Sequence, residues 1–175
     1  MDLTTHDVYE SLAKGQLVEL AKLYGRLGLT LGSLWFLEME KTTGRERATQ
    51  SDAEVWRRQG ELEAKYLKSF LGKETVDDMK DVGKAFLLSP VWGNLGGKVA
   101  IEGGFCRISI TDCRPQKSRR RKGLPELACR PVGEGFFEGF LKGLNPALRF
   151  RCVTCPPDPH AEDLWCSWEA WFENP

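Results

Sequence analysis

The chain has 175 residues, 41% of them hydrophobic, and 25 basic side chains against 25 acidic ones. That length is one domain, or one domain with a helical annex, and the apolar fraction is enough for a core, so disorder is excluded as the default state. The charge balance argues against a dedicated nucleic-acid binder, which carries a net positive face.

The start, Met1-Asp-Leu-Thr-Thr-His-Asp, has neither a basic nor an apolar region of the kind that opens a secretory signal. The longest apolar segment, 17–39, is interrupted by Glu19, Lys22, Arg26 and Glu38, so it reads as a buried helix and not as a membrane span. The expectation is a soluble cytoplasmic protein. In a reducing compartment its six cysteines are thiols or metal ligands rather than disulfides.

Taken in order, Thr5 is placed to cap a first helix over 5–14 that stops at Gly15. Leu17, Leu20, Ala21, Tyr24, Leu27, Leu31, Leu34 and Trp35 recur at three and four residues and predict a long helix with one broad apolar stripe. Gly25, Gly28 and Gly32 lie within it and point to close approach of another helix or of a ligand. Gly44 ends it. Ser51-Asp-Ala-Glu54 has the form of a capping box, and Trp56, Leu62, Tyr66, Leu67 and Phe70 are the expected buried stripe of the helix that follows. A further helix over 74–88 is stopped by Ser89-Pro90.

The texture changes at Pro90. Runs 98–102 and 105–111 flank Gly103-Gly104 and read as a hairpin, with Cys106 on its apolar face beside Ile108 and Ile110. Residues 112–125 read as a loop. Five of the six residues 117–122 are basic, either a phosphate or polynucleotide contact or a solvated, mobile loop. A glycine-rich amphipathic helix follows over 132–143, with Phe136, Phe137, Phe140 and Leu141 as its contacts. Then come a strand over 147–154, a proline-rich loop and a closing strand over 164–172. The predicted architecture is α+β. A helical subdomain (1–90) packs on a cysteine-bearing antiparallel sheet with one amphipathic helix (91–175), the two forming one compact unit.

The chemistry concentrates in the cysteines. Cys152-x2-Cys155, Cys166 across a hairpin and Cys129 upstream supply four soft donors that suit tetrahedral zinc, with an iron–sulfur cluster as the alternative and buried thiols as the plain reading. Cys113 and His160 are possible further ligands, although His160 also reads as an exposed loop residue. On a straight strand Cys152 and Cys155 would face opposite ways, so both can ligate only if the chain leaves the sheet near Val153. Cys129 precedes a helix whose dipole would favour a thiolate.

This pattern of Cys129, the glycine-rich helix 133–143, Cys152-x2-Cys155 and Cys166-Ser-Trp168 resembles the 4-vinyl reductase-like small-molecule-binding domain of bacterial sensors of phenol and other aromatics. The resemblance implies a structural zinc beside an aromatic-ligand pocket, with Cys152 where those domains carry a glutamate and with a longer loop before Cys166. It also implies a homodimer formed through helices. The whole chain, from its long N-terminal helices through Cys113…Cys129 to Trp165-Cys166-Ser-Trp168, is similar to the 2-amino-thiazoline-4-carboxylate hydrolase-like proteins. Two functions follow as expectations. One is a ligand-binding module whose pocket is lined by Trp35, Trp56, Trp92 and Phe137. The other is a metal-assisted hydrolase of a small cyclic amide-like or thiazoline substrate, with Glu38, Glu46 or Glu126 as its base.

Overall fold

The computed structural model describes residues 4–173. In chain order it contains α1 (Thr5–Glu10), α2 (Lys14–Thr43), α3 (Arg45–Phe70), α4 (Met79–Leu88), a 3-10 turn (Trp92–Asn94), β1 (Gly97–Glu102), β2 (Phe105–Ile110), α5 (Arg114–Arg121), α6 (Arg130–Leu144), β3 (Leu148–Thr154) and β4 (Cys166–Phe172). The fold is α+β, and the four strands form one antiparallel sheet of order β1-β2-β4-β3.

Strand alternation decides which face is buried. Cys106, Ile108 and Ile110 stand opposite Ala170, Trp168 and Cys166, and all six are buried. The next register row places Phe150 and Cys152 opposite Ala170 and Trp168. On the other face Glu169 lies between Arg107 and Arg151 and accepts from both guanidinium groups. One face is therefore apolar and one ionic, as a half-covered antiparallel sheet requires. α4 covers β1 and β2, and α6 covers β3. The aromatic core runs through this layer: Phe137 stacks on Trp168 at 4.8 Å between ring centroids and on Phe86 at 5.8 Å.

α3 lies on the back of α6, and glycines set their separation. A Cβ at Gly139 would stand 1.9 Å from the Arg57 carbonyl oxygen, and one at Gly60 would stand 2.6 Å from that of Phe136. This closeness corrects the expectation for α3 in part: Trp56 and Leu67 pack on the core. Its small residues, Ala48, Gly60 and Ala64, are buried with Glu63, whereas Leu62, Tyr66 and Phe70 are exposed. Glu63 is held by Ser89 Oγ at 2.7 Å and Gln59 Nε2 at 3.0 Å.

Other boundaries differ for local reasons. Thr4, not Thr5, caps α1, in a reciprocal box with Asp7. α3 begins directly after Gly44, so Ser51 is mid-helix and Glu54 is engaged by Arg57 and Arg58 instead of a cap. α4 starts only at Met79, capped by Asp78, whose side chain accepts from Lys80 N–H, and Val76 is buried in the preceding loop. The basic stretch is the helix α5 and not a mobile loop. Arg119 is buried there against Glu40 of α2, with Nη1 at 3.0 Å from Oε2, while Lys117 and Arg120 pair with Asp112 and Glu126.

α2 is also not the buried helix that its stripe predicts. Gly25, Leu29 and Phe36 are buried, with Gly25 tight against the Pro90 carbonyl, but Tyr24, Leu27, Leu31, Leu34 and Trp35 are exposed. Gly28 has open space above it, and Gly32 meets only the edge of Trp56 at 4.0 Å. Among the described residues no helix is long and apolar enough to cross a membrane.

The α3–α6 contact generates a first prediction. Gly139→Ala forces its Cβ into backbone rather than into a side chain that can move, so the cost should lie at the upper end of overpacking, about 2–3 kcal/mol. Urea denaturation of the two proteins measures it. A loss below 0.5 kcal/mol, within the scatter of ordinary surface changes of about that size, would contradict the close approach.

Candidate ligand cavity and thiol cluster

α2 packs chiefly on α3, touches the 92–94 turn and reaches α5 through Glu40, and a space remains between these elements and the inner end of β4. It is a cavity of about 300 Å³, the lower end of the range for small-molecule sites. Its walls come from Arg26, Leu29 and Phe36 of α2, Asp52 and Trp56 of α3, Trp92 and Leu95 beside the turn, Gln116 of α5, and Trp165, Cys166 and Trp168. Of the four aromatics singled out in the sequence, Trp56 and Trp92 line this cavity, and they meet edge to face at 6.2 Å. Trp35 is not: it lies on the exposed face of α2. Phe137 is fully buried behind Trp168 and belongs to the core.

The cysteines gather at the inner wall. Cys113, Cys129, Cys155 and Cys166 all line the cavity. Cys152 follows β4 in register and faces the second, solvent-open groove beside Arg130. The exit from the sheet needed for Cys155 exists. The pairing slips between Cys152 and Thr154, β3 ends, and Cys129 N–H then donates to the Pro156 carbonyl at 3.1 Å, tying the start of α6 to this turn. Gln116 sits behind Cys129. Its amide donates to the Leu127 carbonyl and to Cys129 Sγ, both at 2.8 Å, and its oxygen accepts from Leu127 N–H.

Cys166 is the electrostatic centre of the group. The Cys155 thiol donates to it and lowers its pKa against the pull of burial, while Cys155 itself is raised by the same contact and by desolvation. The Trp168 indole N–H lies near enough to favour the Cys166 thiolate without completing a hydrogen bond. Burial pushes Cys113 up to about 12, and pushes Cys129 far above the ordinary thiol range, with Cys113 and Cys166 adding to both effects or to one. For Cys129 the helix dipole therefore loses: a dipole is worth about 1 kcal/mol, and full burial is worth several pKa units.

Among the described residues no three His, Cys, Asp or Glu side chains stand in metal-ligating geometry. The donor chemistry nonetheless suits a thiophilic metal: buried Cys155 and Cys166 share one wall with half-buried Cys113 and Cys129, and two N–H groups, from Gln116 and Trp168, are directed to sulfur. His160 is not brought to them. It is half-buried against Trp165, its ring centroid 5.0 Å away, with Nε2 3.5 Å from Glu126. Of the expected bases, Glu38 pairs with Lys41 at the surface, Glu46 is exposed in the first turn of α3, and Glu126 is held by Arg120 and His160. None of them lines the cavity; its one carboxyl is Asp52.

Sequence reasoning passed over Arg26, Asp52 and Gln116. Arg26 carried a signal, as a charge between apolar positions of α2. Asp52 was hidden inside an apparent capping box, and Gln116 inside an apparent loop.

The profile of a family of unknown function (DUF6125) matches residues 10–172. The chain belongs to that family. A comparison with curated proteins gives no match. Among solved structures, the phenol-responsive sensory domain of the transcription activator PoxR, crystallised with phenol, is similar with a TM-score of 0.51 and 20% identity, over 82% of this chain and 73% of that one. At that identity the likeness establishes a shared fold.

Asp52 supplies the prediction for this site. Burial raises its carboxyl from 3.8 to about 6, against a smaller lowering by the Trp56 N–H. Between those two values the folded state binds more protons than the unfolded one, so this group's contribution to stability falls as pH rises from about 4 to about 6 and is then constant. At about 1.4 kcal/mol per unit the penalty is about 2–3 kcal/mol at neutral pH. Asp52→Asn should therefore gain on the wild type by that amount between pH 4 and pH 7, as read by paired denaturation curves. Parallel pH dependences in the two proteins would show that Asp52 is solvated.

Proposed function

We propose that this chain is a small-molecule-binding, sensor-like domain whose thiol cluster takes up a structural zinc. The observation that carries the reading is the apolar cavity walled by Trp56, Trp92, Trp165 and Trp168, with isolated polar groups among them, which is how small ligands are ordinarily held. The fold shared with a phenol-responsive sensory domain supports it, as does the affinity to 4-vinyl reductase-like domains inferred from Cys129, Cys152-x2-Cys155 and Cys166. Cys129, Cys155 and Cys166 would hold the metal with Cys113 beside them on the same wall, whereas Cys152, the expected fourth ligand, faces the other groove. Bound zinc would keep them as thiolates and fasten the ends of β3 and β4 to the start of α6. Gln116 and Trp168 would then donate to charged sulfur, which is where such N–H groups contribute most.

Metal content of the purified protein tests the zinc. About one zinc per chain is expected, lost in Cys129→Ser and Cys155→Ser together with thermal stability. Iron with acid-labile sulfide would replace zinc by a cluster, and six freely titrating thiols without metal would end the metal reading. Ligand binding is tested separately, through quenching of the cavity tryptophans by phenol.

The exposed face of α2 supports a homodimer. Tyr24, Leu27, Leu31 and Leu34 follow one another at three and four residues, and Leu31 is 70% exposed. Such a stripe is the usual surface of helix-to-helix association. Sedimentation equilibrium should give a dimer for the wild type and a folded monomer for Leu31→Glu combined with Leu34→Glu. A monomeric wild type would remove the dimer and leave the cavity unaffected.

A further inference from the structure

The polar groups of the cavity do not balance. Arg119 is satisfied by Glu40 and by the Pro125 carbonyl. Gln116 is satisfied by Leu127 and Cys129. The hydroxyls of Thr30 and Ser33 bond back to carbonyls of their own helix. Arg114 and Lys122 also line it but are exposed to solvent, and what remains inside is a surplus of donors. Arg26 Nε and the indole N–H groups of Trp92 and Trp165 are buried and have no hydrogen-bond partner. The Arg26 guanidinium pairs with no carboxylate among the described residues and is felt only at longer range by Glu19. Against these donors the cavity offers a single carboxyl, Asp52, with the Trp56 N–H beside it.

Buried donors without acceptors are costly, and a cation set in an apolar wall costs more. A ligand that removes these costs must bring oxygen acceptors and negative charge on an apolar body small enough for about 300 Å³. We propose that the cavity is selective for a small carboxylate with a ring-sized apolar body, an aromatic monocarboxylate in the simplest case, with Arg26 as its ion-pair partner. The proposal rests on the small-molecule reading above and adds the charge of the ligand. Arginine suits the task because its planar fork matches a carboxylate at two points, and because it keeps its charge when desolvated. The ring would lie against Trp56 and Trp92, which are already in contact with one another.

Benzoate, benzamide and phenol separate the possibilities. They are similar in size, and at neutral pH only benzoate is charged. Titration of the full chain at low salt, followed by tryptophan fluorescence and calorimetry, should show benzoate bound at least about tenfold more tightly than benzamide, the margin of a charge-assisted hydrogen bond. Arg26→Gln should remove that preference, lowering benzoate to the level of benzamide. Arg26→Lys should keep part of it. If benzamide or phenol binds as well as benzoate, or if Arg26→Gln leaves the preference intact, the carboxylate proposal fails and the small-molecule reading stands. If none of the three binds, both fail. Should Arg26→Gln not fold, the benzoate-to-benzamide ratio in the wild type and its change in Arg26→Lys still decide.

Discussion

The backbone contact of α3 with α6 is the constraint from which the rest of this molecule follows. Two helices that touch at Gly60 and Gly139 cannot place large side chains between them. Phe136, Phe137 and Phe140 therefore turn toward Trp92, Trp168 and one another, and the sheet gains an aromatic layer. Of the large apolar residues of α3, Leu62, Tyr66 and Phe70 are left to face away. With α3 fixed so close to α6, α2 is held by narrow contacts: Gly25 on Pro90, Phe36 with Ala48 and Leu127, and Glu40 on Arg119. A helix held by points rather than along a face leaves room beneath it, and that room is the cavity.

The thiol cluster sits where this room meets the sheet, and its physics is dominated by loss of water. The same burial that raises Cys113 and Cys129 would make simultaneous ionisation of several thiols in this wall very costly. Cys166 escapes because it has a donor in Cys155 and a second N–H in Trp168. Protons thus hold the group together as neutral thiols around one sulfur that ionises more readily. A divalent cation would do the same work with charge in place of protons, which is why burial of this kind is compatible with metal uptake and makes that uptake dependent on pH.

How much of this was legible in the sequence depends on whether a period or a contact carried the information. The hairpin 97–110, the α6 aromatics and the burial of Cys106 were all legible, because alternation and the 3.6-residue period report which face is covered. The departure of the chain from the sheet before Cys155 was legible from geometry alone. The burial of α2 and α3 was not. Their apolar stripes are real, but a stripe does not say whether it is covered within the chain, and the glycines that decided the matter act through a backbone partner far away in sequence. α5 was missed for a related reason. Its high charge density reads as solvated, and only the long-range partner Glu40 explains why Arg119 goes inside. Of the four aromatics, Trp56 and Trp92 line the cavity while Trp35 and Phe137 do not, because an aromatic's chemistry does not tell wall from core or surface.

The unmatched donors of the cavity bear on how such a site survives in a domain of marginal stability. Each buried N–H without an acceptor costs about 1–3 kcal/mol, and folded domains hold only about 5–15 kcal/mol in reserve. Arg26, Trp92 and Trp165 together press on that reserve, and the raised Asp52 carboxyl adds to the load. The rings of Trp92 and Trp165 pack in the core, but none of the four polar groups takes part in that packing or in the glycine contact. Apolar residues of similar shape at these positions would be more stable. The unpartnered N–H groups lie around one cavity and outnumber its single carboxyl, Asp52. Random imperfection of packing would scatter donors and acceptors alike. A surplus of a single kind, gathered around one cavity, is what a site complementary to an acceptor-rich molecule looks like before that molecule arrives.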